Sequence, residues 1–123
     1  MRLFILVPSL LMLAITGCKT APSEVPGDPS YATNVQPIFD GNCVTCHGGA
    51  SPSGGYSLAS RAGATGNGSD TIPNVVPNSA DSSKLYRRVT GDETPQMPIG
   101  QSALDTVRTA TVRNWINKGA KDN

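Results

Sequence analysis

The sequence is poor in several kinds of residue, and each shortage excludes a class of protein. Its 123 residues contain one His and three Cys, and aromatic residues make up only 5% of the chain. The formal net charge is +1 and no long basic run occurs, so the chain lacks the positive surface that nucleic acid binding requires. No set of residues suited to acid–base or nucleophilic catalysis stands out. We therefore expect neither an enzyme nor a small-molecule substrate.

The length and the low aromatic content also limit the core. A chain of this length forms one domain at most, and so small a domain buries a modest fraction of its surface. The scarcity of large side chains makes a stable core harder to build. A large apolar cofactor inside the fold would supply the missing core material.

Residues 1–17 predict an export signal. A short charged start is followed by an almost wholly apolar run over residues 3–15, which is too short and too early for an ordinary membrane span. The run ends in ITGC, at positions 15–18, which resembles the lipobox of bacterial lipoproteins. The resemblance implies cleavage before Cys18 and lipid on its sulfur and on the new amino terminus. Plain secretion with an incidental thiol is the alternative.

For residues 18–29 we predict a lipidated Cys18 followed by a flexible, Pro-rich tether. The eleven residues after Cys18, KTAPSEVPGDP, contain three prolines and no large apolar side chain except Val25. At ~3.1 Å per residue, such a segment reaches about 30 Å. We expect the folded domain over residues 30–123, lipid-anchored in the bacterial cell envelope and facing the periplasm or the exterior.

The other two cysteines lie in the run CVTCH, at positions 43–47, together with the only His. This C-x-x-C-H spacing is the attachment signature of haem c. The thiols of Cys43 and Cys46 can add across the two vinyl groups on one edge of the porphyrin, and His47 then lies beneath the iron. The export signal agrees, because bacteria assemble haem c outside the cytoplasm.

Three other uses of these cysteines compete with haem attachment. A thioredoxin-like redox pair calls for a βαβ pattern, and none is visible. A structural zinc site needs four ligands, whereas the processed chain offers three Cys and His residues beyond Cys18. A disulfide between Cys43 and Cys46 suits an oxidising compartment. None of these requires His47 after the second cysteine, so we predict one covalently attached haem c.

Met97 is the candidate ligand for the other side of the iron. His47 is the only His, and a Met thioether is the other strong haem ligand. The two remaining methionines lie in the export signal, so Met97 alone survives in the mature chain. Prolines on both sides of it, within residues 95–100, fix φ and resist helix formation. The alternatives are a gap-filling core Met, ligation by Lys84 or Lys118, and an open site.

A first helix is predicted from Thr33, with Thr33 and Gln36 as a capping box. Its residues Val35, Ile38 and Phe39 point inward, and it runs into the haem motif. A long loop region rich in Gly, Ser, Pro and Asn follows, with a short turn near its middle. We expect this loop to be ordered because it wraps around a haem edge.

Two further helices are predicted in the second half of the chain. One spans residues 81–89. The last starts at Ser102, with Asp105 completing its cap, and ends at Gly119. Trp115 is the only Trp in the chain, and we expect it to pack the last helix on the first.

This order of elements resembles class I cytochrome c, and more narrowly the planctomycete-type cytochrome c domain. The matching stretches are VQPIF, CVTCHG, GGYSL, VP, SKLYRRV, MP and WINKGA, which span nearly all of residues 30–120. The resemblance implies an all-α, cytochrome c-like fold of three to four short helices wrapped around one covalently attached haem, with long Gly-, Ser- and Pro-rich loops. It also implies the C-x-x-C-H side chains on one side of the haem and Met97 on the other. The sequence departs from the family at Pro77 and Asn78, where Pro-Gly is common.

Two strong axial ligands leave no open position for a substrate, so electron transfer is the predicted function. The expected partners are redox proteins of the cell envelope, and the membrane through the lipid on Cys18. One alternative is a haem-based gas sensor or weak peroxidase with a weak or open sixth site. Another is a thiol-redox or structural lipoprotein without haem. Candidates for binding the haem propionates are Arg61, Arg87 and Arg88.

Overall fold

The computed structural model describes residues 24–123, and this part of the chain is all-helical, as predicted. Its α-helices are α1 (Gln36–Asn42), α2 (Arg61–Ala64), α3 (Lys84–Thr90) and α4 (Thr106–Asn117). Residues 24–123 contain no strand, and none of their helices has the length and apolar character needed to cross a bilayer. The predicted export signal and the predicted lipidation site at Cys18 lie outside the described residues.

The first helical segment begins earlier than Thr33, as a π-helical turn over Tyr31–Val35 that leads into α1. Ser30 caps this turn: its side chain accepts a hydrogen bond from Thr33 N at 3.3 Å, and Asn34 Oδ1 accepts one from Ser30 N at 2.9 Å. The pair satisfies amides that a helix start leaves free. The predicted capping box at Thr33 and Gln36 is therefore wrong.

The third helix begins later than the predicted residue 81, because the segment before it is held in another way. The hydroxyl of Ser83 is fully buried, donates to Ser79 O at 2.8 Å and accepts from Val76 N at 2.8 Å. These bonds fold residues 76–83 into a turn against the core. The helix starts only at Lys84, directly after that turn.

The last helix begins four residues after the predicted Ser102, because Asp105 is its N-cap. The Asp105 carboxylate accepts a hydrogen bond from Arg108 N at 2.8 Å and also pairs with the Arg108 guanidinium. A carboxylate at this position satisfies a free amide and favours the positive end of the helix dipole. The helix ends as predicted: Gly119 has φ 98° and donates to Ile116 O at 2.9 Å.

The departure from the family at Asn78 fits its backbone conformation. Asn78 has φ 68°, in the left-handed region that Gly enters freely and that Asn tolerates better than most residues. Its N–H donates to Ile116 O at 2.8 Å, near the end of α4. Asn78 can thus make the turn for which the family commonly uses Gly.

Trp115 anchors the core, as predicted. Its side chain is 0% exposed, and its ring centroid lies 5.3 Å from that of Tyr31 and 6.3 Å from that of Phe39. These three rings join the π-helical turn, α1 and α4. Other buried apolar side chains are Val35, Ile38, Tyr56, Leu58, Leu85, Val89, Val112 and Ile116.

Residues 24–29, which the sequence suggests are tether, make specific contacts with the folded domain. Pro29 is fully buried. Asn114 Nδ2 donates to Pro26 O at 2.9 Å, and Lys121 forms a 3.2 Å ion pair with Asp28. The last part of the predicted tether therefore packs on the domain.

Candidate functional site

A cavity of about 510 Å³ opens between the C-x-x-C-H segment, α3 and the chain that follows α3. Its volume lies within the ~300–1,000 Å³ of ordinary ligand pockets. Much of the lining is apolar and comes from Leu58, Leu85, Val89, Pro98, Ile99 and Leu104. Cys43, Cys46, His47 and Met97 all line this one cavity. The fold thus brings together the four residues that the sequence identifies as haem-binding candidates.

The C-x-x-C-H segment leaves α1 through a tight turn. Cys43 follows the last residue of α1, and its carbonyl oxygen accepts hydrogen bonds from Cys46 N at 3.1 Å and His47 N at 2.8 Å. This turn presents both sulfurs and the imidazole to the cavity. The two thiols are free, and burial raises the pKa of Cys43 to about 11.

His47 is oriented by a main-chain acceptor. Its Nδ1 lies 3.0 Å from Tyr56 O, and because a carbonyl oxygen only accepts, Nδ1 carries the hydrogen. In the neutral imidazole, Nε2 then has the lone pair that can bind a metal. A hydrogen bond to the far nitrogen is the usual way that proteins orient a metal-binding imidazole.

Gly48 allows the chain to turn sharply after His47. A Cβ atom at this position would lie 2.5 Å from Val44 O, which is far below a normal contact. The chain therefore packs against the preceding turn only because residue 48 has no side chain. Leu58 N then donates to His47 O at 2.7 Å, which ties the imidazole-bearing residue to the next loop.

Met97 lies in a loop that folds back on α3, here called the Met97 loop (residues 91–100). Met97 N donates to Arg88 O at 2.8 Å, and Gln96 Nε2 donates to Val89 O at 3.4 Å. The peptide bonds before Pro95 and Pro98 are both cis. The half-buried Met97 side chain lines the cavity.

Charged residues at the cavity are paired. Lys84 and Asp70 both line it and form an ion pair with each other, and Arg88 lines it and pairs with Glu93 at 3.2 Å. The hydrogen bond from Lys84 lowers the pKa of Asp70. Lys118, the other Lys considered as an iron ligand, is not among the lining residues.

The three arginines considered for the haem propionates differ in position. Arg88 lines the cavity, whereas Arg61 and Arg87 do not. Arg61 instead donates from Nε to Ala120 O at 2.9 Å, near the carboxyl end of the chain. Of the three candidate arginines, only Arg88 therefore lies where it could contact a group bound in the cavity.

Much of the segment that forms this cavity matches a known protein family. Residues 43–98 match the family model described as Planctomycete cytochrome C. Residues 43–98 therefore belong to a planctomycete-type cytochrome c domain. The family implies covalently bound haem c, and it suggests a haem-binding electron-transfer protein. No curated protein and no solved structure matches the sequence significantly.

The side chains of this cytochrome c domain fit the cofactor that the family implies. Cys43 and Cys46 supply two unpaired thiols for thioether bonds, and His47 supplies an imidazole whose Nδ1 faces Tyr56 O, which leaves Nε2 for a metal. The apolar cavity suits a porphyrin ring, which also agrees with the small number of large side chains in the core. Haem bound there would supply iron chemistry and core volume together.

The competing uses of the cysteines fit the cytochrome c domain less well. A redox-active pair relies on a thiolate of lowered pKa, whereas burial raises that of Cys43. Within residues 24–123, no three side chains of His, Cys, Asp or Glu cluster as a metal site would require. A zinc site would therefore lack ligands.

Sequence reasoning missed Tyr56 and Gly48, which shape the site through their backbone. Tyr56 contributes its carbonyl oxygen, an atom that every residue type carries, so no sequence signal marks it. Gly48 directly follows the His of the motif, and that adjacency is a signal that could have been used. The Lys84–Asp70 pair was also missed, because Asp70 lies in an irregular loop.

Proposed function

We propose that this protein is a monohaem c-type cytochrome that transfers electrons in the bacterial cell envelope, with iron ligated by His47 and Met97. The observation that carries the proposal is that the only His and the only Met of residues 24–123 line one cavity together with both cysteines of the attachment motif. Bound haem supplies iron that alternates between ferrous and ferric states.

The chain's own groups favour simple electron transfer. The Tyr56 carbonyl orients His47, and the hydrogen bond to Arg88 O holds the Met97 backbone against α3. Ligands held in place on both sides keep the iron geometry constant as its charge changes. Methionine opposite histidine also raises the reduction potential relative to two histidines.

An enzymatic role is not part of the proposal. The single His is assigned to iron, and the charged residues at the cavity, Asp70, Lys84 and Arg88, are all engaged in ion pairs. We propose redox proteins of the envelope as partners, and neither nucleic acid nor a small-molecule substrate. Ile99, which is 61% exposed on the cavity lining, offers such partners an apolar contact close to the haem.

We further propose that lipid on Cys18 anchors the domain to a membrane. Because residues 24–29 pack on the domain, the anchor would hold it through the six residues 18–23, which even a fully extended chain of ~3.3 Å per residue limits to about 20 Å. Cys18→Ser is expected to move the protein from the membrane fraction to the soluble fraction. A Cys18→Ser protein that still sediments with membranes would rule the anchor out.

An absorption spectrum of the purified protein in both redox states tests the haem proposal. We expect a c-type spectrum that stays with the polypeptide after acid extraction, since thioether bonds retain the haem. A colourless protein from a host that matures c-type cytochromes would overturn the proposal.

Carbon monoxide separates electron transfer from the ligand-binding alternative. With Met97 on the iron, the reduced protein is expected to bind carbon monoxide slowly and weakly. Rapid binding to the native reduced protein would instead show a weak or open sixth site, and so favour a sensor or peroxidase.

A further inference from the structure

Arg88 contacts the Met97 loop at three alternate residues. Its main-chain oxygen accepts a hydrogen bond from Met97 N at 2.8 Å. Its guanidinium donates to Pro95 O from one terminal nitrogen at 3.3 Å, and to Glu93 Oε1 from Nε at 3.2 Å. One residue at the end of α3 therefore holds the loop through its backbone and through its side chain.

The two kinds of contact can be separated by mutation. The bond between Arg88 O and Met97 N survives any substitution that keeps α3 intact. The bonds to Glu93 and Pro95 depend on the guanidinium, whose fork of donors can reach two acceptors at once. The Arg88 side chain is 20% exposed, so these bonds are only partly screened by water.

Glu93 stays ionised as the shared acceptor. Burial alone would raise the pKa of its carboxyl, but the hydrogen bond from Arg87 and the charges of Arg88 and Arg87 outweigh this and lower the pKa. The carboxylate is therefore available to both arginines at neutral pH.

We propose that Arg88 is a positioning residue for Met97: its guanidinium fixes residues 93–95 on α3, and so keeps the thioether where it can bind iron. The inference rests on the proposed His47 and Met97 ligation. A Met thioether is a weak ligand on a flexible side chain, so freedom in the loop backbone translates into loss of the bond.

Arg87 provides a matched control on the same helix. Its Nε donates to Glu93 Oε2 at 3.0 Å, and a terminal nitrogen donates to Asp81 O at 3.3 Å. It shares the carboxylate with Arg88 but makes no side-chain hydrogen bond to residues 94–98. Loss of either arginine removes one positive charge and one partner of Glu93, yet only loss of Arg88 frees Pro95.

The test uses the haem-loaded protein as wild type, Arg88→Gln and Arg87→Gln. Imidazole is titrated into each oxidised protein, and carbon monoxide into each reduced one. An added ligand binds only when Met97 leaves, so its apparent affinity rises with the fraction of protein in which the site is free. We expect Arg88→Gln to bind both probes about three- to tenfold more tightly, as for loss of a partly exposed charge-assisted hydrogen bond. Arg87→Gln loosens Glu93 but leaves Pro95 held, so its probe affinities should rise less, by under about twofold.

A spectroscopic readout and a second variant keep the outcome specific. The weak far-red charge-transfer band of Met-ligated ferric haem should lose intensity in Arg88→Gln. The loss should be smaller in Arg88→Lys, which keeps the charge but lacks the several guanidinium donors that reach two acceptors at once. If Arg88→Gln does not mature with haem, Arg88→Lys serves as the test variant, with a smaller expected gain in affinity.

Equal probe affinities in the Arg88 and Arg87 variants would overturn the inference. So would a lower midpoint potential in Arg88→Gln with unchanged probe affinity, since that pattern indicates a charge effect on the haem or its propionates. A wild-type protein without the Met band would instead refute the His47 and Met97 ligation itself, so the two failures are distinguishable.

Discussion

The Nδ1 atom of His47 lies 3.0 Å from the main-chain oxygen of Tyr56, while the Tyr56 side chain serves a different purpose. The Tyr56 hydroxyl donates to Ala64 O, at the end of α2, at 2.7 Å. One residue therefore orients the proposed iron ligand with its backbone and fixes α2 with its side chain. Substitution can separate these two roles.

Tyr56→Phe is expected to destabilise the fold without changing the haem. The variant leaves the buried carbonyl of Ala64 without its partner, which costs about 1–3 kcal/mol. The acceptor for His47 is a backbone atom and remains. Chemical denaturation should show the loss of stability, and potentiometry should show an unchanged midpoint potential. A changed potential would mean that the hydroxyl itself influences the iron.

Met97→Ala is expected to lower the reduction potential and open the sixth site. Axial ligands tune haem potentials over about 0.8 V, and we expect a fall on the order of 0.1 V. Met97→Leu, which keeps the side-chain volume, should behave in the same way and so separates ligation from packing. Redox titration and carbon monoxide binding measure the two effects. An unchanged spectrum and potential in both variants would refute ligation by Met97.

Gly48→Ala is expected to reduce stability and haem content. The added methyl group would lie 2.5 Å from Val44 O, and overpacking of this kind costs about 1–3 kcal/mol. Gly41→Ala is the control: it lies within α1 and its added methyl group meets nothing within 4 Å. Ala there should stabilise the helix by about 1 kcal/mol. Thermal unfolding and haem content per chain measure both variants, and equal behaviour would contradict the argument.

Stability is expected to fall as the pH rises above about 10, the usual tyrosine pKa. Burial, followed by the charges of Asp40 and Asp122, raises the pKa of Tyr31 to about 12. Between these two values the unfolded chain loses a proton that the folded chain keeps, so unfolding becomes easier. Burial raises the pKa of Tyr56 in the same direction.

Urea unfolding midpoints at pH 8 and pH 11 measure this effect. Tyr31→Phe removes one of the two groups, so the loss of stability between the two pH values should be smaller than in wild type. The variant also loses the hydrogen bond to Gln36 Oε1, which lowers stability at both pH values alike. An unchanged pH dependence would show that Tyr31 does not contribute.

The sequence predicted those features that depend on residue type or on residues adjacent in the chain. The C-x-x-C-H motif is informative because thioether spacing and the neighbouring imidazole follow from the shape of a porphyrin edge. Trp115 was placed in the core correctly, because a single large aromatic in so small a domain has few other uses. The family resemblance, read from short motifs, agrees with the match over residues 43–98.

Helix starts were predicted less well, because several residues near each start can act as a cap. Ser30 and Thr33 compete at the start of the first helical segment, and Ser102 and Asp105 at α4, with similar local preferences. At the first segment, packing decides between the two candidate caps. The aromatic contact of Tyr31 with Trp115 favours a helical start directly after Ser30.

By itself, the sequence determined the all-α class, and it predicted haem attachment within residues 43–47 and Met97 as a candidate ligand, because these follow from side-chain type and local spacing. Only the tertiary structure decided that Tyr56 orients His47, that Arg88 holds the Met97 loop and that residues 24–29 pack on the domain. Each of these involves a main-chain atom or a buried proline, and chain folding alone determines where such groups meet. A backbone carbonyl is identical in every residue, so its partner can be known only from its position.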